Sequence, residues 1–80
     1  MNPRVKSVLV KEDYLLVIEF TNQETKIFDV KPYLNLGIFK ELKDTDYFKK
    51  AQVYLGTVAW NNRQDFCPDT LWLESKPIQN

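Results

Sequence analysis

Residues Tyr14 to Phe20 read YLLVIEF, the strongest β signal in the chain. In an extended strand Tyr14, Leu16, Ile18 and Phe20 fall on one face, and Leu15, Val17 and Glu19 on the other. A second face with one polar residue predicts a central strand, partly covered on both sides. Upstream, residues 4–10, RVKSVLV, alternate loosely and are rich in valine, which reads as a strand. Lys11, Glu12 and Asp13 make a polar turn between the two. Downstream, TNQE separates the central strand from TKIFDV and reads as a hairpin loop. Asn22 tolerates positive φ, whereas Gln23 is a less natural occupant of the second turn position than glycine. Residues 4–30 are therefore expected to form a three-stranded antiparallel meander.

The pattern changes after Val30. Pro32 can open a helical turn and Gly37 can end one, with Asp29 or Lys31 near its start. Ile38, Phe39, Leu42, Tyr47 and Phe48 recur near a helical period, but KDTD in their midst is turn-like. Two short helices are expected, the second capped by Asp44 or Thr45. QVYLGTVAW returns to β, with a tight hairpin or bulge at Leu55-Gly56. NNRQ is a loop and DFC a short final strand. Proline is favoured at the first position of a helix, so Pro68 starts a C-terminal helix with Cys67 at the N-cap. Asp69 and Thr70 then lie in its first turn, and Leu71 and Trp72 point into the fold. KPIQN reads as a frayed tail. The fold class is α+β, one domain over residues 1–80 with an ordered part of about 3–75.

Eighty residues suit one domain with a small core, burying roughly 60–65% of its unfolded surface. A 44% hydrophobic and 14% aromatic content places the chain among globular proteins, not disordered ones. Phe20, Phe28, Phe39, Phe48, Phe66, Trp60 and Trp72 supply large rings for that core. Eleven basic and eleven acidic residues cancel, and the basic ones are scattered. This argues against a grip on nucleic acid, which needs a basic surplus or stripe. One cysteine cannot form an intramolecular disulfide. The N-terminal apolar run is too brief for a signal peptide, and no window reaches the roughly 20 apolar residues of a membrane helix. A soluble protein of a reducing cytoplasm is expected, with no membrane association.

The segments NPRVKSV, FDVKPYL, GIFKELKD, YFKKA and GTVAWNNRQDFCPDTLW together resemble the bacterial domain-of-unknown-function family 2442. The resemblance runs from about Pro3 to Trp72. Trp60, Asn62, Asp65, Phe66 and the run Pro68 to Trp72 stand where the family carries its closing motif. Cys67 stands where serine or aspartate is common, and neither polar loop has the family's glycine. The resemblance implies an α+β fold of antiparallel strands with short helices and brings no known activity. Similar domains are in some cases fused to a helix-turn-helix segment, which a chain of this length does not carry. Others are encoded beside a second small protein, in the manner of a toxin–antitoxin pair.

The chemistry-bearing residues have plain structural readings. With no histidine and one thiol, Asp65, Cys67 and Asp69 make a poor metal set, so no metal or other cofactor is expected. Cys67 at a helix start would be a candidate nucleophile, but the usual base partner is missing. Asp65 and Asp69, with Asp29 further off, would suit acid–base work if one pocket gathered them. Gly37 and Gly56 are the two glycines, so there is no phosphate-cradling loop. No catalytic residue is assigned. Trp60 and Trp72 read first as core, and they or Tyr54 as partner contacts if exposed. The expected function is a non-catalytic protein–protein interaction module, with Trp60, Asp65, Asp69 and Trp72 as contact candidates. Its partner would be another protein or a second copy. The alternative is a small enzyme or ligand binder using Asp65 and Asp69 near Cys67.

Overall fold

The computed structural model describes residues 2–62 and 64–78. Six strands and two α-helices run in the order β1 (Val5–Lys11), β2 (Leu15–Phe20), β3 (Thr25–Asp29), α1 (Thr45–Phe48), β4 (Gln52–Tyr54), β5 (Thr57–Ala59), α2 (Pro68–Glu74) and β6 (Lys76–Pro77). Two 3-10 segments, Lys31–Tyr33 and Gly37–Lys43, lie between β3 and α1. The α+β expectation and the meander hold. β1, β2 and β3 are antiparallel, and β2 is central with Leu16, Ile18 and Phe20 fully buried. Its other face, Leu15, Val17 and Glu19, is half-buried.

Tyr14 departs from the expected strand. It lies in the turn, where Asp13 and Tyr14 both have positive φ. In the next turn the positive φ falls on Gln23 (72°), not on Asn22. Gln23 N–H donates to the Phe20 carbonyl, and the Asn22 side chain accepts from Glu24 N–H. This is a tight turn followed by a left-handed residue, a common three-residue hairpin loop. At the far side of the sheet, Lys76 and Pro77 pair with Ile27 and Lys26. The expected frayed tail is thus, up to Pro77, a fourth strand in the order β1-β2-β3-β6. The isolated two-residue match carries little local signal, because an edge strand this short depends on its partner.

The cover over the buried face is built from short pieces. In Gly37–Lys43 the three-residue repeat of a 3-10 helix aligns Phe39 with fully buried Leu42. Ile38 consequently points outward and is 56% exposed. Asp44 caps α1 by accepting from Asp46 N–H, one of the two expected capping residues. The β4–β5 hairpin turns through Leu55 and Gly56, both at positive φ, between paired Tyr54 and Thr57. That is the two-residue turn expected there. The expected strand at Asp65–Cys67 is reduced to a single bridge between Asp65 and Ala59. Phe66 instead turns inward, with its ring centroid 4.8–6.1 Å from those of Phe28, Tyr33, Phe39 and Trp60. Burial of that ring outcompetes continuation of a ladder.

A polar clamp holds the cover. Gln64 is fully buried, with its amide nitrogen donating to the Ile38 carbonyl (3.0 Å) and its oxygen accepting from Tyr47 Oη (2.6 Å). Tyr47 Oη accepts in turn from Asn62 N–H, and Trp60 Nε1 donates to the Phe48 carbonyl. On the sheet side, Lys31 Nζ lies 3.1 Å from both Asp13 Oδ2 and Asp29 Oδ1. Hydrogen bonding to Asp13 is the first reason its pKa stands above the ordinary 10.5, with Asp29 adding to it against desolvation. Burial, then the Glu74 charge, lifts Tyr33 above 10.0.

Two outcomes follow from these contacts. Gln64→Leu keeps the volume but strands the Ile38 carbonyl and Tyr47 hydroxyl, and should lower urea-unfolding stability by roughly 1–3 kcal/mol. The raised pKa of Lys31 favours its protonated form in the fold, so its contribution is intact below the ordinary lysine range and lost as pH rises through the folded value. Tyr33 acts in the same direction, because the unfolded chain ionises first. The urea midpoint should therefore fall as pH rises above about 10, and Lys31→Gln should flatten that fall.

Candidate functional site

The closing stretch from Trp60 to Trp72 holds all four contact candidates and the thiol, and the fold distributes them. Trp60 is 3% exposed, stacked on Phe48 at 5.9 Å. It is part of the core, as its plain reading has it. Trp72 is half-buried. It sits edge-to-face with Phe20 at 5.0 Å, and Lys26 Nζ lies 3.7 Å above its ring. The same ammonium donates to the Trp72 carbonyl at 2.8 Å, so a cation–π contact and a charged hydrogen bond fix this end of α2 to β3.

Asp65 is exposed beside the β4–β5 hairpin. It lines a cavity of about 410 Å3 with Gln52, Tyr54, Trp60, Asn61 and Gln64. Asp69 and Cys67 are not among the walls of that cavity. Asp69 is exposed in the first turn of α2, where Asn2 Nδ2 donates to Oδ1 at 3.3 Å. Cys67 is exposed at the N-cap, as expected, with its side chain making no capping hydrogen bond. Among the described residues no three or more His, Cys, Asp or Glu side chains gather as a metal would require. Among them, too, no helix is long and apolar enough to cross a membrane.

Tyr54, the third aromatic considered as a contact if exposed, lies on the tip of the β4–β5 hairpin, where the sequence did not single out its neighbours Val53 and Leu55. Val53, Tyr54 and Leu55 are all exposed, and Leu55 is 74% exposed with φ +50°. Two features hold this tip in place. Arg4 Nη2 donates to the Leu55 carbonyl at 2.9 Å, and Val5 N–H donates to the Gly56 carbonyl at 2.9 Å. A Cβ on Gly56 would collide with the Arg4 side chain, and its φ of +79° independently favours glycine. Paired positive-φ positions in a two-residue hairpin favour Asn-Gly. Leucine in the first of them is the signal in the sequence that could have pointed here.

The model of the family described as "Protein of unknown function (DUF2442)" matches residues 5–77. The chain belongs to this family. The match spans the meander, the clamp and α2, and ends on the strand that the C-terminal residues add to the sheet. No curated protein and no solved structure matches the chain. The DUF2442 fold here places its Pro-Asp-Thr-Leu-Trp run at a helix start, where Pro68 needs no donor and Asp69 meets the positive end of the dipole.

Serine accepts from the free N–H groups of a helix start better than a thiol does. Cys67→Ser should therefore leave thermal stability unchanged or raise it by up to about 1 kcal/mol. A loss of several degrees would mean the thiol packs internally.

Proposed function

We propose that this DUF2442 chain is a non-catalytic protein–protein interaction module, the smaller member of a two-protein assembly of the toxin–antitoxin kind. The observation that carries this reading is Leu55, a large apolar side chain that is 74% exposed at a backbone position disfavouring it. A left-handed conformation costs an L-residue such as leucine about 1–2 kcal/mol, and Asn or Asp adopts it more readily. Local strain with an exposed apolar side chain points to a contact made outside the chain. Tyr54 beside it adds an aromatic ring of the type enriched at binding surfaces. Asp65, on the cavity that Tyr54 also lines, is the proposed polar rim of this contact. Asp69 and the exposed part of Trp72 form a second, lesser candidate. The exposed single thiol suits a reducing cytoplasm.

Leu55→Asn separates fold from function. Asparagine fits the turn better, so this variant should be more stable by about 0.5–1 kcal/mol. It should also capture less of the partner when tagged protein is purified from its native host beside the unmodified chain. A variant that is stabilised and captures its partner equally well would refute the assignment.

A further inference from the structure

The ladder of the meander leaves one strand edge with free backbone groups. Phe20 N–H donates to the Glu24 carbonyl and Val30 N–H to the Tyr14 carbonyl, at the two ends of the β2–β3 pairing. Alternation then makes the even residues of β2 the ones bonded to β3. Leu15, Val17 and Glu19 are left to bond β1, opposite Lys11, Leu9 and Ser7. The N–H and C=O groups of Val8 and Val10 consequently point away from β2. Among the described residues no other backbone hydrogen bond reaches them. Val5, further down the same edge, is already taken by Gly56 of the hairpin.

We infer that this edge of β1 pairs with the same edge of a second copy, antiparallel and with the two-fold axis at Leu9. The inference rests on the interaction-module reading and adds to it a second contact, with a copy of the same chain. Two features of the chain select a copy of itself as occupant. First, the free groups are symmetric about Leu9. Val8 faces Val10 of the other copy and Val10 faces Val8, which makes four backbone hydrogen bonds, while the two Leu9 side chains meet as a close non-bonded pair. Leu9 is 56% exposed in the single chain. Second, the charges are complementary in this register. Lys6 of each copy comes beside Glu12 of the other, and Lys11 opposite Ser7, so no like charges stand face to face. The net charge of zero adds no long-range repulsion.

The edge also borders a cavity of about 440 Å3 beside Val10, walled by Tyr14 and Phe48 and rimmed by Glu12, Asp13 and Lys49. Strand addition of this kind takes affinity from the main chain and selectivity from such a pocket.

Cysteine cross-linking in a Cys67→Ser background reads the register directly. A close antiparallel pair has Cα atoms about 4.5 Å apart, inside the disulfide range of about 4.4–6.8 Å. Leu9→Cys should form a covalent dimer on mild oxidation. Ser7→Cys should not, since its two copies lie about 13 Å apart along the strands. Equal cross-linking of both, or of neither, overturns the inference. Sedimentation of the unmodified chain from roughly micromolar to millimolar concentration should show a dimer. Leu9→Lys, folded by circular dichroism, should raise the dissociation midpoint about tenfold or more. A monomer throughout, or an unmoved midpoint, likewise overturns it. Either result leaves the Leu55→Asn capture experiment to decide the interaction-module reading separately.

Discussion

Burial of the Phe66 ring is the contact on which the other layers converge. Phe66 lies against Phe28 of β3, Tyr33 of the first 3-10 segment, Phe39 of the second and Trp60 after β5. A short antiparallel sheet with one apolar face must cover that face, and among the described residues no helix is longer than the seven of Pro68–Glu74. It uses four short helical pieces and a hairpin, none of which buries enough area to stand alone. One ring that touches the sheet and three separate cover segments makes their docking cooperative. Thr57 reinforces it, since its buried hydroxyl donates to the Phe66 carbonyl.

The polar clamp follows from the same shortness. Short helices and tight turns leave many backbone groups without internal partners, and burying them unpaired is costly. Gln64 meets this need at the centre of the cover by bonding Ile38 and Tyr47, while Lys31 meets it at the sheet end by bridging Asp13 and Asp29. The closing motif of DUF2442 is in this light a device for closing the domain. Its Trp60 and Phe66 are core, as is the neighbouring Gln64, and its Pro68 and Asp69 start a helix. The interaction surfaces proposed above lie instead on the hairpin tip and the β1 edge.

Among the described residues four non-glycine positions hold positive φ: Asp13, Tyr14, Gln23 and Leu55. Three of them have side-chain or backbone contacts that tie their turns into the fold. Asp13 receives Lys31, Tyr14 Oη donates to the Lys43 carbonyl, and Gln23 N–H closes its hairpin. Leu55 differs because its carbonyl is used by Arg4 while its side chain is exposed. That contrast separates conformations tied into the fold by a contact of the same residue from one that leaves a large apolar side chain exposed.

Alternation in Tyr14–Phe20 and in the flanking runs was enough to establish the meander, because a half-buried strand repeats every two residues whatever packs on it. Pro68 likewise marked the start of α2, and Asp44 the cap of α1, since both act through the nearest backbone groups. The residues that the sequence could not place were those whose roles depend on distant partners. Lys76–Pro77 becomes a strand because β3 offers an edge, and Phe66 leaves its expected strand because four rings meet there. Trp60 and Trp72 have the same composition signal, yet one is sealed against Phe48 and the other shares its face with Lys26. Asp65 and Asp69 are close along the chain, but Asp65 lines the hairpin cavity while Asp69 stands at the start of α2, away from its walls. Local chemistry sets turns, caps and alternation over a few residues. Tertiary structure alone decides which side chains share a surface, because that depends on how segments far apart in the chain bury one another.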